Sequence, residues 1–243
     1  MNNPPVLPTV ALLCGGAGTR LREHTQSIPK PLVEIGGRPI VWHVIHIYLA
    51  QGFTDFLLLT GFRAELVEEF VERESWPARV RIRCLETGTE TPTGGRLRRA
   101  ADVLEPDATV CVTYADGVAD IDLRRLLDDH RDHGAPATMT VVRPELPFGV
   151  AELNGVGVVR FFQEKPRSEH WVNGGFFCFE PGVLRALSPD DVLEREPLQR
   201  LAEAGQLRAF RHEGFWGCMD TYKDTVALNE LWASGRAPWK LWT

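Results

Sequence analysis

Lysine is scarce in this chain: of 27 basic residues only four are lysine, at Lys30, Lys165, Lys223 and Lys240. Basic residues are also outnumbered by acidic ones, and a net charge of −6 argues against a nucleic-acid-binding surface. No stretch combines a basic run with aromatics. No apolar run approaches membrane-spanning length, and Met1 to Pro8 lacks the charged and apolar regions of a signal peptide. Neither nucleic acid nor membrane is therefore expected as a partner. The five cysteines (Cys14, Cys84, Cys111, Cys178 and Cys218) are odd in number, and no pair has metal-ligand spacing. A zinc site is excluded on that ground, and a reducing cytoplasm is the expected compartment.

What is present suits a soluble α/β protein: 243 residues, 44% hydrophobic and 25% charged. An apolar run from Val10 to Leu13 empties into Cys14-Gly15-Gly16-Ala17-Gly18-Thr19-Arg20-Leu21, with Pro29-Lys30-Pro31 close behind. Glycines let backbone N–H groups approach an anion without a Cβ in the way. Arg20 and Lys30 add a planar fork and a mobile point charge for phosphate oxygens. The loop is neither of the two common phosphate loops. Leu21 stands where the dinucleotide fingerprint needs glycine, and no Gly-Lys-Ser/Thr opens a helix.

Strands are expected at Thr9–Cys14, Asp55–Thr60, Val80–Leu85 and Thr109–Tyr114. Helices are expected at Pro39–Gln51 (with Gly52 as a C-cap), Ala64–Glu72, Gly95–Leu104 and Asp122–His133, the last stopped by Gly134. This alternation predicts βαβ units and a mixed, mostly parallel sheet flanked by helices. The second half is β-rich, with strands at Ala137–Arg143, Val156–Gln163, Gly175–Glu180 and Leu207–Arg211. Short helices fall at Gly182–Ala186 and Glu196–Ala204, and a closing helix at Thr221–Ser234. No linker is visible. The reading is one domain over 1–243, with a C-terminal substrate-binding half from about 136.

In open α/β sheets ligands lie beyond the carboxyl ends of the strands. Asp116 leaves a strand at that end, where it serves either as a metal ligand or as a turn cap. Asp220 precedes the closing helix and is either a second metal ligand or that helix's N-cap. Glu164-Lys165-Pro166 and Trp171-Val172-Asn173-Gly174-Gly175 are either surface turns or, offering charge, an amide and close backbone approach, a set suited to a sugar phosphate.

The glycine loop with Pro29-Lys30-Pro31 resembles the signature of sugar-1-phosphate nucleotidyltransferases, and the likeness narrows to the glucose-1-phosphate cytidylyltransferases. It is carried by Val33-Glu34-Ile35-Gly36-Gly37-Arg38-Pro39-Ile40, Thr93-Gly94-Gly95-Arg96-Leu97, Asp116-Gly117-Val118-Ala119-Asp120, Phe162-Gln163-Glu164-Lys165-Pro166, Asn173-Gly174-Gly175-Phe176-Phe177, Met219-Asp220-Thr221 and Ala237-Pro238-Trp239-Lys240. The resemblance implies a Rossmann-like, GT-A-like nucleotidyltransferase fold. It implies that Leu13, Cys14, Gly15, Gly16, Ala17, Gly18 and Thr19 hold the nucleotide, with Arg20 and Lys30 catalytic on its phosphates. Thr91 and Arg96 match positions near the base, and Ala115 adjoins the nucleotide. Gly149, Glu164, Lys165 and Asn173 match the sugar side, and Asp116 and Asp220 match ligands of Mg²⁺, with Mn²⁺ as the substitute. The implied substrates are CTP and glucose 1-phosphate, and the implied products a nucleotide-diphospho-sugar and pyrophosphate. Neighbouring subunits also enter the comparison, so a homo-oligomer is compatible with it.

Two departures stand out. The stretch Val71 to Glu86 is shorter than in those relatives, and Ala115 replaces their glycine, setting a methyl group beside the nucleotide. Both open an alternative on the same fold: a flavin-independent, metal-dependent mutase acting on a preformed sugar nucleotide.

Overall fold

The structure is a computed structural model describing residues 7–16, 18 and 28–242. The first apolar run is β1 (Val10–Leu13). After a 3-10 turn at Lys30–Leu32, a minimal hairpin, β2 (Glu34–Ile35) and β3 (Arg38–Pro39), leads into α1 (Ile40–Leu49). Then follow β4 (Asp55–Thr60), α2 (Ala64–Arg73), β5 (Arg81–Glu86), α3 (Thr93–Ala100), β6 (Val110–Tyr114), β7 (Gly117–Ala119) and α4 (Leu123–His133). The second half supplies β8 (Ala137–Val142), β9 (Val150–Leu153), β10 (Val159–Gln163) and β11 (Val172–Phe179). It continues with α5 (Pro181–Arg185), α6 (Glu196–Glu203), β12 (Leu207–Arg211), β13 (Trp216–Cys218) and α7 (Tyr222–Ala233).

Seven strands form one sheet in the order β12-β8-β11-β6-β1-β4-β5. All neighbours run parallel except β11, which is antiparallel to both β6 and β8. The sheet is buried on both faces, and the alternation of side chains sorts them. Val10, Leu12, Phe56, Leu58, Phe176 and Cys178 face a core shared with α1, α4 and α7. Ala11, Leu57, Leu59, Val112, Phe177 and Phe179 face a second core against α3, α5 and α6. Among the described residues no helix is long and apolar enough to cross a membrane.

Several boundaries move for local reasons. α1 ends at Leu49 with Ala50 as its cap, and Gly52, at φ +89°, instead turns the chain toward β4. α3 begins at Thr93 and stops at Ala100, because the next residues form turns. The single strand expected at Val156–Gln163 is half of an antiparallel ribbon, β9–β10, whose turn begins at Asn154. The shortened connection closes as a turn between α2 and β5. Trp76 pins it, donating to the Val71 carbonyl at 3.0 Å and lying 6.1 Å from Phe70.

His43 ties the C-terminal segment to α1. Its Nε2 faces the Ile35 carbonyl at 2.8 Å, and Nδ1 accepts from Trp239 Nε1 at 3.3 Å. Both ring nitrogens are thus satisfied in the neutral form, with Nε2 as donor. Burial pushes the imidazole down to about 4, and hydrogen bonding to the Ile35 carbonyl offsets only part of that. Below pH 6.5 the unfolded chain takes up a proton that the folded chain refuses until about pH 4. Stability is therefore expected to fall from pH 6.5 toward 4, by on the order of 3 kcal/mol from this group. Urea midpoints across that range test it. His43→Gln should be weaker at pH 7.5 yet show a shallower decline, and an identical decline would assign the effect elsewhere.

Candidate functional site

A cleft of about 500 Å³ opens at the carboxyl ends of β1 and β6. Leu13, Gly15, Gly16 and Gly18 form one wall, and the segment Thr89–Thr93 with Arg96 another. Lys30, Tyr114, Asp116 and Asp220 line the remainder. The structure thus gathers residues that are distant in sequence. Ala17, Thr19 and Arg20 lie outside the described residues.

The centre of the cleft is a charge triad. Lys30 Nζ donates to Asp116 Oδ2 at 2.5 Å and to Asp220 Oδ1 at 2.7 Å. Each member is placed by its own local device. Pro29 and Pro31 stiffen the 3-10 turn that starts at Lys30. Asp116 and Asp220 come together because β7 pairs with β13 directly after and before them, and Met219 N donates to the Asp116 carbonyl at 2.9 Å. Both alternatives for these aspartates resolve against capping. Thr221 caps α7 in a reciprocal box with Asp224, which leaves the Asp220 carboxylate turned toward Lys30. The Asp116 carboxylate likewise meets Lys30.

Burial alone would lower the Lys30 pKa, but the Asp116 charge and the hydrogen bonds to both carboxylates outweigh it and raise it. The ammonium is held charged. Two carboxylates and one ammonium leave a local charge of −1, which one divalent cation would turn to +1. Among the described residues, Asp116, Asp220 and Cys218 form a trio whose ligand atoms lie within 4.8 Å of one another. Burial, Asp116 and Asp220 push the Cys218 thiol far up. Two of the three donors are hard carboxylate oxygens, the kind that hold a divalent cation.

Arg96 stands on the cleft wall with Thr91, and its guanidinium also ties the surrounding backbone together. It is 4% exposed, and its guanidinium lies beneath the glycine loop. Nη1 donates to the Thr60 carbonyl at 2.9 Å and to Thr87 Oγ1 at 2.5 Å. Nη2 donates to the carbonyls of Gly15 at 3.0 Å and Thr89 at 3.1 Å. One cation therefore fastens β1's loop, the end of β4 and the Thr89 segment together. A Cβ on Gly15 would lie 1.9 Å from Arg96 Nη1, whereas one on Gly16 would meet nothing. Gly15 is glycine for the arginine, and Gly16 keeps the open side of the loop bare. Gly15→Ala is expected to cost about 2–4 kcal/mol by displacing this guanidinium. Gly16→Ala should stay within about 0.5 kcal/mol while weakening nucleotide binding. Paired urea denaturation and calorimetric titration with CTP check both; equal stabilities would refute the assignment.

The remaining expected residues divide. Thr91 lines the cleft and donates to the Thr87 carbonyl. Cys14 is 1% exposed and packs into the core, its amide donating to the Leu59 carbonyl at 3.0 Å. Ala115 is 2% exposed and packs into the same core, so its methyl group is not on the cleft wall. That corrects the expectation of a methyl beside the nucleotide. Asn173 stands one contact behind the cleft, donating to Tyr114 Oη at 3.2 Å. Gly149 and Glu164 adjoin each other, since a Cβ on Gly149 would lie 2.9 Å from Glu164 Oε2. With Lys165, held at φ +45°, they lie on the exposed segments flanking the β9–β10 ribbon and not on the cleft wall. Tyr114, like Thr89, Glu90 and Pro92, is a cleft residue that sequence reasoning missed. Its signal was its place, the last residue of β6 immediately before Ala115-Asp116.

Residues 10–223 match the nucleotidyl transferase family. The chain is 40% identical over 257 residues to the glucose-1-phosphate cytidylyltransferase of Salmonella typhimurium, covering 95% of this chain and 98% of that protein. It is 32% identical to the mannose-1-phosphate guanyltransferase of Hypocrea jecorina, covering 92% of this chain and 64% of that one. The crystal structure of HddC from Yersinia pseudotuberculosis complexed with GMP-PN shares the fold, with a TM-score of 0.75, 19% identity, and coverage of 93% of this chain and all of that one. A match over this much of the sequence, on this sheet, fixes the lineage: the chain belongs to the nucleotidyl transferase family and is an enzyme of that class.

Proposed function

We propose that the enzyme joins a nucleotide to a sugar 1-phosphate, with CTP and glucose 1-phosphate as the pair and pyrophosphate as the second product. The observation that carries this reading is Lys30 held between Asp116 and Asp220 in a cleft that faces the glycine loop. An oxygen of the sugar phosphate attacks the α-phosphorus in line. The new O–P bond forms as the bond to the β-phosphate bridge oxygen breaks, and that electron pair leaves with pyrophosphate. The attacker is already an anion and needs no general base.

Lys30 offsets charge on the reacting phosphate, and Arg20 is assigned the same task. Asp116 and Asp220 hold Mg²⁺, which when bound supplies charge neutralisation on the phosphates. Gly16 and Gly18 give the phosphates access to backbone, and Thr91 stands on the base side. Asn173, with Glu164 and Lys165, serves the sugar side. The relatives support transfer: both are named for moving a nucleotidyl group to a sugar 1-phosphate. Nothing in the comparisons favours rearrangement of a finished sugar nucleotide. Five free cysteines, with Cys111 and Cys178 sulfurs 4.0 Å apart and unbonded, support a reducing cytoplasm as the working compartment.

The test is pyrophosphate release with Mg²⁺, each nucleoside triphosphate, and glucose or mannose 1-phosphate. CTP with glucose 1-phosphate should exceed every other pair by at least tenfold. A preference for GTP with mannose 1-phosphate would overturn the substrate assignment. Silence with every pair would overturn transfer itself.

A further inference from the structure

Glu194 sits in the segment between α5 and α6, and no motif singled it out. Its carboxylate nevertheless touches two residues of the cleft wall. Tyr114 Oη donates to Oε1, and Thr93 Oγ1 donates to Oε2 at 2.7 Å. Behind Tyr114, Asn173 Nδ2 donates to the phenol oxygen at 3.2 Å, while Asn173 Oδ1 accepts from Gly175 N at 2.8 Å. A single chain of hydrogen bonds therefore runs from Thr93, beside Thr91, through Glu194 and Tyr114 to Asn173.

The segment carrying Glu194 is built into place. Gly95 N donates to the Asp191 carbonyl at 3.1 Å, and Leu193 N donates to Thr93 Oγ1 at 2.9 Å. A Cβ on Gly94 would lie 2.6 Å from the Asp191 carbonyl oxygen, and one on Gly95 2.0 Å from that of Pro189. Both glycines of Thr93-Gly94-Gly95-Arg96 are thus required by this docking. Leu193 is fully buried beside Glu194. Glu194 itself is exposed, and the two hydrogen bonds to Tyr114 and Thr93 are what hold its carboxylate.

Proton direction gives the chain its logic. A phenol has one proton to donate, and Glu194, as a carboxylate, only accepts. With that proton committed to Glu194, the Tyr114 oxygen faces Asn173 as an acceptor, which fixes the amide with Nδ2 toward the phenol. Without Glu194 the Tyr114 proton has no fixed acceptor, and the phenol no longer anchors Asn173, whose amide keeps only the Gly175 N–H bond at 2.8 Å.

We propose that Glu194 is a positioning residue that couples the nucleotide side of the cleft, at Thr91–Thr93, to Asn173 on the sugar side. This rests on the assignment of the two sides made above. Order imposed on the Thr93 segment by nucleotide is transmitted to Asn173, so that sugar phosphate binds more tightly after nucleotide than before it.

Calorimetry of glucose 1-phosphate, with and without a non-hydrolysable CTP analogue, measures that coupling. Wild type should show at least fivefold tighter binding with the analogue. Glu194→Ala should collapse the ratio to within twofold, raise the glucose 1-phosphate KM about tenfold, and change kcat by less than threefold. Glu194→Gln, which keeps an acceptor for Tyr114, should recover most of the loss. Tyr114→Phe combined with Glu194→Ala should be no worse than the worse single variant. An intact coupling ratio in Glu194→Ala, or single effects that multiply in the double variant, would overturn the proposal. A readout free of substrate separates this from failure of the functional reading. The side-chain amide NMR signal of Asn173 should shift in both Glu194→Ala and Tyr114→Phe, and an unmoved signal overturns the coupling whatever the assay shows.

Discussion

Replacing Lys30 with methionine is expected to act in two opposite directions. Turnover should fall by about 10²–10³, because the cation proposed to act on the reacting phosphate is lost from the cleft. Affinity for the divalent cation should meanwhile rise several-fold. The ammonium holds oxygens of both Asp116 and Asp220, at 2.5 and 2.7 Å, and a cation must share those carboxylates with it. Methionine keeps the length of the side chain and removes the competitor. Titration with Mn²⁺, followed by electron paramagnetic resonance, reads affinity without turnover, and pyrophosphate release reads the rate. Weaker Mn²⁺ binding in Lys30→Met would show that the lysine organises the aspartates and does not compete for them. A full rate would remove it from the chemistry.

Asp116→Asn and Asp220→Asn should each lower kcat by about 10³ or more and shift the Mg²⁺ requirement upward at least tenfold. The physical reason is the charge count: one neutralised carboxylate takes the site from −1 to zero and removes most of its attraction for a cation. Stability should barely move. An asparagine oxygen still accepts from Lys30, and the backbone pairing of β7 with β13 involves neither side chain. The double variant should be little slower than either single one, since the pair acts as a unit. Near-normal turnover in one variant would exclude that aspartate from the metal site.

Much of this architecture was legible in the order of residues. β4 and β12 have the expected ends, because Asp55–Thr60 is a closed apolar run and Leu207–Arg211 is bounded by turn residues. Asp122 and Gly134 bracket α4 as expected, one accepting from Arg125 N and the other at φ +66°. The three-residue strands β7 and β13 escaped because so short a run has no periodicity to detect. Their pairing joins residues about a hundred positions apart, and that pairing brings the two aspartates together. Arg96 was recognised as a site residue, but its hydrogen bonds to Thr60, Thr87, Gly15 and Thr89 were not legible, since a sequence does not reveal which oxygens will surround a guanidinium. Glu194 was invisible for the same reason: both of its partners are distant in the chain.

The reversed strand β11 also has a consequence in time. β6 carries Tyr114 at its end and pairs with β1 on one side, but its other neighbour is β11. A ribosome that has finished β6 has still to make α4, β8 and the β9–β10 ribbon before that neighbour exists. Until Phe179 emerges, one flank of Val110–Tyr114 presents unanswered amides and carbonyls in the middle of the future sheet. β8 arrives earlier yet cannot serve in its place, because it belongs one position further out. The nascent chain must therefore wait with its central strand exposed, and the strand that completes it is the one that brings Asn173 against Tyr114.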